Sequence, residues 1–415
     1  MARIEFPEET RKRIEQVGSA DLVIGISGAV NQNELRMRAE GALTEWRSAN
    51  PAIKIAVAYP GTETAEAEEQ APAAEGLTYL PYPMPGSDPS LVPWVAVSGA
   101  QRSALALALS LQAKMCVVMH ADLAAMSPQI LQSLTGKVLE GSCDLVMPIY
   151  PTGKYDGLIN KSILAPLTRA LYGRRVQSPL AYDFSVSARV SPQLADADGS
   201  RLQAGPQLLW PSNLVAMDSG QIGQTPLDLH HSTQADGLEL SAVLSQVVGS
   251  LFSEMETYAA HWQRMRGSQA TPVWGMAAPA EAIEHPIDAR PLFDSFLLGS
   301  RNLEEVWRLV LPPVTLLELK RLTRLQSEQF RMPDDLWAKI VYDFALAHRL
   351  RNISRTHLLG ALTPLYLGWV ASYTQEVGSA SFASSEQRLE HVARAFEDNK
   401  PYLVSRWRWP DRFNP

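Results

Sequence analysis

Residues 115–122 read Met115-Cys-Val-Val-Met-His-Ala-Asp122, an apolar run that stops at a histidine and a carboxylate two residues apart. A short apolar run without Gly or Pro, bounded by polar residues, suits a strand buried on both faces of a mostly parallel sheet. Open α/β sheets place ligands at the carboxyl ends of their strands, so His120 and Asp122 are expected at a strand end. The next residues, Ser127-Pro128, have the residue types favoured at an N-cap and a first helical position. The pair therefore lies on a short loop between a strand and a helix, where a metal or phosphate ligand is well placed.

Working outward, the first two thirds of the chain alternate strand-like and helix-like segments, the pattern of an α/β layer fold. Strands are predicted at Asp21 to Ser27, Ile53 to Tyr59, Leu77 to Leu80, Met115 to Met119, Asp144 to Tyr150 and Asp183 to Ser187. Thr62 to Gly76, rich in Ala and Glu and without apolar periodicity, reads as a mobile surface loop. Arg174-Arg175, after Tyr172-Gly173, reads as a solvated helix end. From about Arg290 the strand pattern disappears, and Leu303 to Leu311, Leu316 to Glu328, Asp335 to Leu350 and Arg355 to Thr374 carry apolar residues at helical spacing. There Tyr342, Phe344, Leu346, Leu365, Tyr366 and Trp369 read as helix core. The tail from Ser405 holds two Trp and a Phe, which points to docking on its own domain or on a partner subunit, as in a homodimer.

Composition bounds the function. The 415 residues, 46% hydrophobic and 20% charged, suffice for two domains with real cores. A net charge of -7 and a pI near 5.7, with no block of Lys and Arg, argue against a nucleic-acid partner. The first twelve residues lack the apolar core of a secretory signal, and no apolar run approaches the ~20 residues of a membrane span, so the expected location is the cytoplasm. Cys116 and Cys143 read as small buried hydrophobes of a reducing compartment, not as a disulfide or a metal pair. There is no Gly-x-Ser-x-Gly elbow, no Gly-x-Gly-x-x-Gly and no Walker pattern, which removes hydrolase and kinase readings.

Four more stretches join the strand that ends in His120-Ala-Asp122. They are Pro148-Ile-Tyr-Pro-Thr-Gly-Lys-Tyr-Asp-Gly-Leu-Ile-Asn160 followed by Ala165-Pro-Leu-Thr-Arg-Ala-Leu-Tyr-Gly173, then Pro179-Leu-Ala-Tyr-Asp-Phe-Ser-Val-Ser187, Leu227-Asp-Leu-His-His231 and Gln246-Val-Val-Gly-Ser-Leu-Phe252. In this order and spacing, over about Ala20 to Trp262, the chain resembles the nucleotide-sugar glycosyltransferases of the mannosylglycerate synthase and glucosyl-3-phosphoglycerate synthase group. The resemblance implies an α/β, GT-A-like (Rossmann-like) mixed sheet flanked by helices over residues 15–270, and an all-helical C-terminal domain over 271–415. It implies retaining transfer of a hexose from a nucleotide sugar, such as UDP-glucose or GDP-mannose, to a small polar acceptor of the glycerate type. A divalent cation, Mg or Mn, would bridge the donor diphosphate. A hard cation with oxygen ligands suits that task because the leaving nucleoside diphosphate gathers negative charge in the transition state.

Carried over residue by residue, Asp122 matches the metal-binding second Asp of an Asp-x-Asp motif, and His231, or its neighbour His230, matches the later metal histidine. Asp156 and Asn160 match polar positions of the acceptor pocket, flanked by Lys154 and Tyr155. Asp183 matches an Asp that contacts the reacting sugars and is the catalytic candidate. His120 stands where the family has the first Asp of its motif, as a donor-side residue that cannot act as a hard anionic ligand. It would shift metal preference toward Mn, Co or Zn.

Other positions depart from the family. Tyr59-Pro-Gly-Thr62 replaces a nucleoside-gripping Asp-Gly-Gly-Ser, Ser98-Gly-Ala-Gln101 replaces a Gly-Lys-Gly, and Ala181-Tyr182 replaces the Gly-Gly before Asp183. Asn213 stands for an acidic residue and Thr152 for an arginine that holds the acceptor carboxylate. These joint losses support a second reading, a noncatalytic protein that keeps the fold and binds a partner or senses a ligand.

Overall fold

The computed structural model describes residues 6–28, 32–61, 76–82, 93–120, 126–195, 208–229, 240–276 and 287–410. They divide into two compact units that interleave along the chain. One comprises Met1–Pro151, Ser178–His231 and Thr271–Ala278, the other Thr152–Gln177, Ser232–Ala270 and Pro279–Pro415. The predicted loop at 62–76 lies outside the described residues except for Gly76.

The first unit is built on a mixed seven-stranded sheet. Its strands are β1 (Leu22–Ser27), β2 (Ile55–Pro60), β3 (Leu77–Tyr82), β4 (Met115–His120), β5 (Leu145–Ile149), β7 (Phe184–Ser187) and β8 (Ile222–Pro226), while β6 (Arg174–Arg175) and β9 (Gln269–Ala270) pair by themselves in the second unit. The sheet order is β3-β2-β1-β4-β7-β5-β8. β1 to β4 are mutually parallel, β7 runs antiparallel to both β4 and β5, and β5 pairs parallel with β8. Every residue of β1 and β2 is buried, as expected of strands covered on both faces.

Six strands fall where the apolar runs predict them. β8, Ile-Gly-Gln-Thr-Pro, is missed because Gly, Gln and Pro erase the apolar signal. Gly223 is required there, since the Trp274 ring occupies the space a Cβ would take.

The helices α1 (Glu8–Val17), α2 (Gln32–Ala49), α3 (Pro93–Ser110) and α4 (Pro128–Leu139) belong to the same unit. α3 lies so close to β1 that a Cβ at Gly25 would collide with the Ala104 side chain. α4 starts as its sequence predicts: the Ser127 side chain accepts from the Ile130 N–H, with Pro128 in the first turn. Leu131, Leu134 and Val138 then face a core that includes Ile24, Val57, Val117, Met119 and Val146. A mixed α/β sheet flanked by helices, followed by a helical C-terminal region, is the architecture expected.

The second unit is mainly helical. A π-helical turn, Asn160–Leu164, runs into the helix Ala165–Tyr172, which ends at Gly173 in the left-handed region, φ 70°. Left-handed geometry there stops the helix. Arg174-Arg175 is thus not a helix end: it forms β6 against Gln269–Ala270, with Arg175 Nε donating to Ser268 Oγ at 3.0 Å. The helices Asp334–Leu350 and Arg355–Val377 bury Tyr342, Phe344, Leu346, Leu365, Tyr366 and Trp369 as core, as their spacing predicts. Trp369 stacks on Tyr373 with ring centroids 5.3 Å apart. The aromatic tail is partly docked within this unit, Trp407 packing edge-on to Trp262 at 5.1 Å. Both cysteines are buried and free, and burial pushes the Cys143 thiol up to about 11.

Candidate functional site

The carboxyl ends of β1, β2 and β4 lie on one edge of the sheet, with Ser27 of β1 beside His120 of β4 in register. Antiparallel pairing of β7 with β4 sets Val118 opposite Phe184, which brings the preceding residue, Asp183, to the end of β4. Asp183 is 0% exposed and accepts twice, from the His120 backbone N–H at 2.9 Å and from the Tyr150 hydroxyl at 2.8 Å. Its own N–H donates back to Tyr150 Oη at 3.2 Å. One carboxylate thereby ties the end of β4 to the residue just past β5. Burial, with the Asp183 charge beside it, pushes the Tyr150 hydroxyl well above its ordinary range, so it stays a donor.

Tyr182 forms the apolar side of this corner. Its ring stacks on Trp94, at the start of α3, with centroids 4.0 Å apart and planes 18° apart, and it meets the His120 imidazole edge-on at 4.8 Å. Gln101, farther along α3, donates through Nε2 to the Ala181 carbonyl at 2.9 Å. The bulk of Ala181-Tyr182 before Asp183 is therefore accommodated by α3, and burial raises the Tyr182 hydroxyl to about 12. Among these, Tyr150, Trp94 and Gln101 were not predicted as site residues. Tyr150 had a readable signal, since it is a polar-tipped aromatic at the end of an apolar strand, as His120 is at the end of β4.

Lys154, Tyr155, Asp156 and Asn160 belong to the second unit. Lys154 is buried, donates from Nζ to the Ala380 carbonyl at 2.7 Å, and accepts at its own carbonyl from the Tyr373 hydroxyl at 3.0 Å. Asp156 is exposed and closes its own turn by accepting from the Gly153 N–H at 2.8 Å. Tyr155, between them, is half-buried. Asn160 opens the π-helical turn and donates from Nδ2 to the Gln177 carbonyl at 2.6 Å, while its buried Oδ1 has no hydrogen-bond partner among the described residues. A buried acceptor without a donor is costly, and a donor from a bound molecule or water would relieve it.

Asp122, His230 and His231 lie outside the described residues. Among the described residues no group of three or more His, Cys, Asp or Glu side chains could hold a metal ion. Each Asp183 oxygen accepts one hydrogen bond, from a backbone and a phenol donor, which fixes the orientation of the carboxylate. What the described corner supplies chemically is a fixed, buried negative charge, an imidazole and an aromatic shelf. No described helix is long and apolar enough to cross a membrane.

No family model matches the chain, and no curated protein matches it. Solved structures do match. Glucosyl-3-phosphoglycerate synthase from Mycobacterium tuberculosis, in complex with Mg2+ and uridine diphosphate, is 17% identical with a TM-score of 0.36, over 58% of this chain and 82% of that one. The same synthase in complex with phosphoglyceric acid is 19% identical with a TM-score of 0.35, over 60% and 85%. Mannosyl-3-phosphoglycerate synthase from Rubrobacter xylanophilus is 15% identical with a TM-score of 0.36, over 62% and 81%.

Proposed function

We propose that this chain is a retaining glycosyltransferase that moves a hexose from a nucleotide sugar, UDP-glucose or GDP-mannose, to a small polar acceptor of the hydroxy-acid type. The observation that carries the reading is the buried Asp183 held at the end of β4 by the His120 amide and the Tyr150 hydroxyl. It is supported by the five motif stretches in register and by the sheet that sets these strand ends side by side. Asp183 would orient the reacting sugars as a fixed charge, and its two donors keep it from wandering. Lys154, Tyr155, Asp156, Asn160 and His120 would contribute to donor and acceptor binding. Asp122 and His231 would hold the divalent cation, which supplies charge neutralisation at the leaving diphosphate.

The test is to incubate the protein with UDP-glucose or GDP-mannose, Mn2+ or Mg2+, and glycerate. The expected product is a hexosyl-glycerate of unchanged anomeric configuration by proton NMR. Complete absence of turnover with both donors and both metals would contradict it.

One observation favours a second reading, a noncatalytic ligand-binding or regulatory protein. The Trp94–Tyr182 stack with the His120 edge fills the corner beside Asp183, and Lys154 and Asp156 are engaged by the chain's own backbone. Saturable nucleotide-sugar binding without any transfer would be its signature.

A further inference from the structure

The helix Lys400–Arg408 and the segment Gln263–Gly267, both in the second unit, line an open cavity of about 500 Å³. That lies within the ~300–1,000 Å³ typical of small-molecule sites. Its charge is one-sided. Arg266, Lys400 and Arg408 line it, and the acidic lining residue among the described ones, Glu397, is already matched by the Arg169 guanidinium at 2.7 Å. Arg266 is exposed and has no hydrogen-bond or ion-pair partner among the described residues. Arg408 uses Nε on Gln263 Oε1 at 3.0 Å, and its terminal nitrogens have no hydrogen-bond partner among the described residues.

Lys400 is 8% exposed and donates to the Met265 carbonyl at 2.7 Å, with two further N–H bonds to offer. Burial lowers its ammonium to about 8 despite the pull of Glu397, so an arriving anion would compensate a poorly solvated charge. Trp409 borders the same cavity, is 69% exposed and makes no ring contact among the described residues.

We propose that this cavity binds a small phosphorylated molecule, with its phosphate on Arg266, Lys400 and Arg408 and its ring against Trp409. Guanidinium groups match phosphate geometry, and an indole face suits either a sugar ring or a base. The proposal stands independently of the transfer reaction at the strand ends.

It is tested by calorimetric titration of the full-length protein at low ionic strength with inorganic phosphate, glucose 6-phosphate and AMP. Expected is one-site binding of glucose 6-phosphate or AMP, about tenfold or more tighter than inorganic phosphate. Whichever of the two binds more tightly tells a sugar phosphate from a nucleotide. Arg266→Ala/Arg408→Ala should weaken that binding about tenfold or more, and Trp409→Ala should weaken the ring compounds while sparing inorganic phosphate. These three side chains are exposed, so the variants should fold. No saturable heat, or binding that survives Arg266→Ala/Arg408→Ala, overturns the proposal.

Discussion

At the scale of single residues, Asp183 is the hinge of the account. A buried carboxylate that loses a donor bears the desolvation it was spared, so Tyr150→Phe should lower stability by about 1.5–3 kcal/mol. Asp183→Asn replaces one carboxylate oxygen by an N–H donor, so either the His120 amide or the Tyr150 hydroxyl proton loses its acceptor. Because the two side chains share a bond, their effects should be non-additive by more than about 0.5 kcal/mol in a urea-unfolding double-mutant cycle. Simple additivity would remove the network. Asp144 gives an independent check. Its carboxyl is drawn down to about 2, first by the Arg189 hydrogen bond, with the Gln221 N–H assisting and burial opposing. A folded-state value below the unfolded one means that this stability is fully present above pH ~4 and is lost as pH falls toward about 2. Asp144→Asn should flatten the acid limb of a stability-versus-pH curve in that window, and an unchanged limb would contradict the assignment.

At the scale of elements, the parallel strands were legible because burial on both faces forces uninterrupted apolar runs, as in Met115 to Met119. β8 was illegible because its place is set by pairing with β5 and by the Trp274 ring over Gly223, neither of which leaves a local apolar pattern. Arg174-Arg175 misled for a similar reason: the helix does stop at Gly173, but the two arginines then join a tertiary strand pair. The close approach of α3 to β1 yields a sharp expectation. Gly25→Ala should cost about 1–3 kcal/mol through overpacking against Ala104. Ala104→Gly in the same chain should recover most of the loss. If Gly25→Ala is neutral by thermal unfolding, the described contact between α3 and β1 is wrong.

At the scale of the whole molecule, the sequence reading delivered the α/β sheet, the helical C-terminal region and the strand end on which His120 sits. It also nominated Asp183, and the structure gives that residue two named partners. His120 was named from the sequence and Tyr150 closes a predicted strand, but their meeting at Asp183, like the Gln101 bond to the Ala181 carbonyl, is set by sheet order and helix packing rather than by spacing. The proposed cation ligands, Asp122 and His231, lie outside the described residues. The central claim is that a nucleotide sugar and a divalent cation bind together at the carboxyl ends of the strands. Calorimetric titration of UDP-glucose and GDP-mannose into the protein, with and without Mn2+, tests it most directly, with Asp122→Ala as the comparison. Saturable binding of one donor is expected, strengthened about tenfold or more by Mn2+, with that gain lost in Asp122→Ala. Binding that ignores both Mn2+ and Asp122, or no binding of either donor, would contradict it.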